Sequence, residues 1–359
     1  MLKVLELFAG IGACSKALTR LGIPHEIVDA VEIDKYAIKS FNAIHNTNFE
    51  PQDITKWDKD IECDLIMHGS PCQDFSVAGK QAGGDKDSGT RSSLMYETLR
   101  IVEKTMPKYV IWENVKNLVS KRHRHNYVDY LNAMNRLGYK NYGNVLNAKN
   151  YGIPQNRERV FTVSIRERER EYEFPREIPL ERKLKDMLET EVEEKYYLTD
   201  NQVASFQADS DNQVAKGYGF KFEPLDKEKD TCHTIATRSG SRKTDNFIME
   251  DFYKNRPTRV YEEASPTLRS GRTGLKVITA NTKGYPCNDL NGVIEHQASE
   301  YRIRKLTPKE CWRLMGFDDS DFEKAEKVNS NTQLYKQAGN SIVVNVLEGI
   351  LTNLLEGEQ

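Results

Sequence analysis

The 359-residue sequence predicts an α/β layer fold with a largely parallel sheet, joined to a smaller and irregular second region. Three observations carry that expectation. From Lys3 to about Ile165, short β-rich runs alternate with helix-patterned stretches. The alternation ends at 166–173, where mixed charges are followed by Pro175 and Pro179. A long apolar face then returns over Ser341 to Leu355, and it needs a large core to cover it.

The clearest strands are "KVLELFA", "HEIVDAVEI", "DLIMHG", "YVIWENV" and "RVFTVSI". Helices are expected from Ala13 to Leu21 and from Lys35 to His45, each after a strand as in a βαβαβ unit. Between about 180 and 300 the text turns to Gly, Thr, Ser and Asn, with an echo between Thr234–Arg242 and Thr267–Arg272. These readings place residues 1–178 and 328–359 in one unit and 179–327 in another.

Composition narrows the function only a little. With 38% hydrophobic residues the chain can fill a sizeable core. A net charge of −2 means that any nucleic acid must meet a local basic surface rather than the whole molecule. No apolar run is long enough to span a bilayer and the start lacks a signal-peptide pattern, so a cytoplasmic protein with no membrane partner is expected. The six cysteines are scattered without a CxxC pair, which suggests neither a disulfide framework nor a metal site.

"ELFAGIGACSKAL" (6–18) puts Gly10 and Gly12 at a strand-to-helix turn, where missing side chains let a ligand approach the backbone. Glu32 ends the next strand about 20 residues on, where a carboxylate can hold ribose hydroxyls, and Asp53 follows in "PQDI". A bare tight turn would explain the glycines alone; the two acids favour a nucleoside cofactor. An NAD enzyme stays open, although Cys14 stands where its fingerprint has a third glycine.

In "GSPCQDFS" (69–76), Pro71 fixes the backbone before Cys72, a strand supports it, and a glycine-rich segment follows. A nucleophilic thiol under a lid at 79–93 fits that setting, against the plain alternative of a small buried residue accepted for the other cysteines. Glu113 ends the strand in "WENV", and the carboxyl ends of parallel strands face the ligand crevice. Arg157 and Arg159 share one side of an extended segment, suiting a phosphate or base edge, or an ordinary ion pair.

The order FAGIG, strand-end Glu, GSPCQDFS, ENV, QNRER, "RKLTPKECWRLMGF" and "QAGNSIVVNVLEGI" resembles the DNA (cytosine-5)-methyltransferases over about 1–165 and 302–355. The resemblance implies a Rossmann-like S-adenosylmethionine-dependent methyltransferase sheet with a target-recognition domain between its two parts. It implies that Phe8, Gly10 and Gly12 form the S-adenosylmethionine turn, that Glu32 is its ribose acid, and that Asp53 meets the adenine amino group. Ile33 and Ile54 would flank the adenine, Pro71 and Leu94 would add contacts, and Asn340 and Ser341 would close the pocket. Cys72 is then the nucleophile, Glu113 the hydrogen-bonding partner of the N3 and amino edge, and Arg157 and Arg159 its companions, Arg157 orienting ring and thiolate. A cytosine stacked in a duplex hides its C6, so the base is expected to flip out.

Placed in the recognition region by this resemblance, Arg238, Arg242, Lys243, Arg269 and Arg272 have almost no acids nearby in sequence and are the expected DNA contacts. Asp74 and Asn156 depart from commoner spellings without removing a catalytic atom, and Trp312 is expected in hinge packing. Double-stranded DNA is the expected partner of a monomer, with a cognate restriction endonuclease acting in the same system without direct binding. A tRNA cytosine-5 methyltransferase and a catalytically silent DNA-binding regulator are the competing readings. The sizeable segment at 180–300 favours DNA, and the intact Cys72, Glu113 and Arg157 favour chemistry.

Overall fold

The computed structural model describes residues 1–71, 94–166, 171–217, 221–251 and 301–356. Its first part runs β1 (Leu2–Leu7), α1 (Ala13–Arg20), β2 (His25–Val31), α2 (Lys35–His45), β3 (Leu65–His68), α3 (Met95–Thr105), β4 (Tyr109–Val115), α4 (Arg124–Arg136), β5 (Lys140–Asn147), β6 (Gln155–Asn156) and β7 (Glu158–Ile165). Six of these strands form one sheet in the order β2-β1-β3-β4-β7-β5. The first four are parallel, as helical crossovers require, and β7 and β5 add an antiparallel edge. This is the expected Rossmann-like α/β fold, with one strand more than the sequence suggests. β5 reads "KNYGNVLN", and its Asn and Gly residues carry little strand signal. Gly143 serves packing there: a Cβ would stand 2.2 Å from the Tyr127 hydroxyl.

Residues along each central strand alternate between two cores, because a sheet covered on both faces buries both. Val4, Leu65, Met67 and Ile111 join the core against α1, whereas Leu5, Leu7, Ile66, Val110 and Trp112 join the core against α3 and α4. Helix α2 packs Ile38 and Phe41 on Ala30.

The second part runs α5 (Asp200–Ala215), β8 (Leu225–Asp226), β9 (Cys232–His233), β10 (Phe247–Asp251), β11 (Tyr301–Lys305), α6 (Pro308–Arg313), α7 (Asp319–Glu326), α8 (Asn331–Asn340) and α9 (Val344–Leu355). A small sheet orders β11-β10-β8, and β9 pairs with β6. Arg304 of β11 is fully buried; it bonds Glu310 of α6 through two nitrogens (2.8 and 2.9 Å) and Glu250 of β10 at 2.6 Å. That network ties the small sheet to the helices that follow.

One boundary moves. Leu306, Cys311, Trp312, Phe322 and Ala325, on the recognition side of a division at 327/328, share the core of Val4, Ala17 and Leu18. Lys16 of α1 pairs with Asp318 (2.6 Å) and Asp321 (2.8 Å), so α6 and α7 belong with the large sheet. The closing helix also starts later than its apolar face suggests: Ser341–Val343 break the stretch into α8 and α9. Asn331–Leu355 is long and apolar enough by composition to cross a membrane, yet Leu347, Ile350, Leu351 and Leu354 are fully buried in the core.

Candidate active site

The parallel strands β1, β3 and β4 end side by side, and β1 and β3 lead their chains in opposite directions across the sheet. Such a switch point opens a crevice at the carboxyl ends of the strands. Here the crevice is lined by Phe8, Gly10, Gly69, Glu113, Asn340 and Ser341 among others, with a volume of about 40 Å³. It therefore joins the glycine turn, the end of β3, the ENV strand and the α8–α9 bend, which are far apart in sequence.

The turn after β1 has three residues in the left-handed region: Phe8 (φ 53°), Gly10 (φ 57°) and Gly12 (φ 79°). Its two glycines do different work. A Cβ on Gly12 would lie 2.2 Å from His45 Nε2, so this glycine lets α2 approach. A Cβ on Gly10 would meet only Phe8 O at 4.0 Å, so Gly10 borders open space. Glu32 holds the turn by accepting from Gly10 N at 3.0 Å and from Asp34 N at 2.8 Å. Asp53 caps a short turn through Thr55 N (3.0 Å) and Thr55 Oγ1 (2.8 Å), which hold its carboxyl below the usual range. The two isoleucines differ: Ile33 is 70% exposed, while Ile54 is buried in the core beside Trp57. Leu94, half-buried, precedes α3, and Pro71 is the last residue described before 94.

Glu113 is 9% exposed and pairs with Arg159 Nε at 3.1 Å. Burial pushes its carboxyl above the ordinary value, and the charges of Arg159 and then Arg157 pull it partly back. Arg157 has a different geometry from the one expected. Its guanidinium, on a residue 4% exposed, donates to the carbonyls of Ser341 (2.8 Å), Gly339 (3.3 Å) and Ile235 (3.5 Å). Arg159 is thus the arginine in contact with Glu113.

Cys72, the segment 79–93, Arg269 and Arg272 lie outside the described residues. What precedes Cys72 is anchored: Trp112 Nε1 donates to Ser70 Oγ at 2.9 Å, and Asn114 Nδ2 donates to Ser70 O at 3.2 Å. These residues lie in the GSPCQDFS and WENV stretches, but their pairing shows only once the folded sheet sets Ser70 beside β4. Glu6 also escapes a sequence reading. Its buried carboxylate accepts from Ser15 N at 3.0 Å and from the Ser15 hydroxyl, capping an α1 whose N-cap glycine has no side chain. An acid inside the apolar strand "LKVLEL" is the one hint of it.

Arg238 and Arg242 are exposed, but acids are closer than the sequence implies. Asp245 accepts from Ser241 N and Arg242 N at 2.9 Å each, and Lys243 is paired with Asp209 at 2.7 Å.

A family model for C-5 cytosine-specific DNA methylases matches residues 2–356. The chain belongs to that family. It is 33% identical to the type II methyltransferase M2.ScrFI of Lactococcus lactis subsp. cremoris, with all of both chains covered. It is also 33% identical to the orphan methyltransferase M.SPRI of Bacillus phage SPR, covering 99% of this chain and 97% of that one. Among solved structures, the S. pombe Dnmt2 methyltransferase shares the fold at a TM-score of 0.67 and 20% identity over the whole of both chains. In this member of the family the glycine turn and a buried carboxyl are brought to one crevice.

Proposed function

We propose that this chain methylates C5 of a cytosine flipped out of double-stranded DNA, using S-adenosylmethionine and a transient bond between Cys72 and C6. The observation that carries the reading is the shared crevice, in which Phe8, Gly10, Asn340 and Ser341 lie with Glu113. Those residues fit the cofactor: Gly10 leaves backbone open, and Glu32 beneath it offers a carboxylate to a ribose. Gly12, Asp53, Ile33 and Ile54 complete the turn and its flank, with Pro71 and Leu94 beyond. When bound, S-adenosylmethionine supplies an electrophilic methyl group.

C5 of cytosine is a weak nucleophile, and addition of the Cys72 thiolate at C6 turns the ring into an enamine with its electron density at C5. Glu113 is suited to hold N3 protonated and to accept from the amino group, because a carboxyl raised by burial keeps its proton at higher pH. Arg159 holds that carboxyl in place. Loss of the C5 proton then expels the sulfur and restores the aromatic ring. Segment 79–93 closes over the base in this reading.

The catalytic and cofactor-binding unit comprises residues 1–178 and a closing part that starts near Leu306, and the stretch between is the target-recognition domain. Arg238, Arg242, Arg269 and Arg272 contact the DNA; Lys243 contributes less, being engaged by Asp209. The protein acts in the cytoplasm as a monomer.

The test is transfer of labelled methyl groups to duplex DNA and to tRNA, with Cys72→Ser as control and sequencing of the methylated positions. We expect labelled duplex DNA that disappears in the variant. Labelled tRNA alone, or tight DNA binding without labelling, selects a different function.

A further inference from the structure

Resting on that reading, we propose that Arg157 is a positioning residue that couples the DNA-facing loop at 232–238 to the cofactor-closing bend at 339–341. The guanidinium bonds one carbonyl of the loop, Ile235 O, and two of the bend, Gly339 O and Ser341 O. Its own backbone belongs to neither. Residues 154–157 form a crossbar stapled to the loop: Cys232 N donates to Pro154 O (3.0 Å), Thr234 Oγ1 to Asn156 O (2.9 Å), and Ile235 N to Gln155 Oε1 (2.9 Å). Gln155 Nε2 continues the crossbar to Leu314 O at 2.7 Å.

The loop and the bend also touch directly. A Cβ on Gly339 would lie 2.4 Å from Thr237 N and 2.5 Å from Ala236 C, so the end of α8 meets bare loop backbone. Arg238, exposed, is the next residue along that loop, and Asn340 and Ser341 line the crevice. A buried guanidinium that loses a carbonyl partner leaves a charged donor unsatisfied, so loop and bend move as one body. A ligand that orders either end then lowers the ordering cost at the other, and the effect is reciprocal. Lysine keeps the charge but has no planar fork to span several carbonyls.

The experiment uses protein already shown to methylate DNA, so failure of the functional reading is seen first and separately. Binding of S-adenosylhomocysteine is measured by calorimetry with and without the duplex found methylated, in the wild type, Arg157→Lys and Gly339→Ala. We expect DNA to tighten binding by about fivefold or more in the wild type and by less than about twofold in either variant. Wild-type binding that DNA leaves unchanged, or variants that keep the full effect, overturns the coupling. If neither variant melts cooperatively, hydrogen exchange on the wild type decides. DNA alone must slow exchange at 339–343, and no slowing there overturns the proposal.

Discussion

Glu6 sits where β1 hands the chain to the cofactor turn, and burial raises its carboxyl to about 7. Between the ordinary carboxylate value and about 7 the folded protein therefore holds a proton that the unfolded chain releases. Stability from this group is fully present at low pH and is lost as pH rises through about 7, by about 1.4 kcal/mol for each pH unit that separates the folded value from the unfolded one. Urea unfolding at pH 5 and pH 8 should show this loss in the wild type and a flatter dependence in Glu6→Gln, whose amide oxygen still accepts from Ser15 N. An equal pH slope in both proteins would remove Glu6 from the account. Glu113 is raised by the same cause, but unlike Glu6 it has a cationic partner, Arg159, whose charge pulls it partly back.

At the scale of elements, the turn between β1 and α1 divides its labour between two glycines, and substitution separates them. Gly12→Ala forces a Cβ onto the His45 ring at φ 79° and should cost stability, about 1–3 kcal/mol by thermal or urea unfolding. Gly10→Ala has room and pays only for φ 57°, about 1 kcal/mol, so its larger effect should be a raised KM for S-adenosylmethionine. The glycines, the strand ends and helices α1 and α2 were legible because each is a local matter of backbone freedom or apolar period. β5 was hidden by its polar edge sequence, and the break at Ser341–Val343 by an apolar face that runs through it. The jobs of Ser70, Trp112 and Arg157 depend on which distant segments the sheet brings together, and no local pattern encodes that.

Across the whole molecule, the joint between the small sheet and the closing helices rests on a buried charge. Arg304 is enclosed with Glu310 and Glu250, so Glu310→Ala leaves the guanidinium with Glu250 as its remaining acid and should lower the unfolding free energy by about 1.5–3 kcal/mol. Glu310→Gln, which keeps an acceptor for Glu189 N or Thr307 N, should lose less in the same denaturant titration. Helix α7 is tied to the large sheet by a second long-range contact, the pairing of Lys16 of α1 with Asp318 and Asp321. Helix α9, packed against α1, has a consequence for how the protein is made. As the chain emerges from the ribosome, the sheet face beside α1 stays bare until residues 344–355 follow. A nascent chain halted before that point would display sticky, unfinished surface to chaperones.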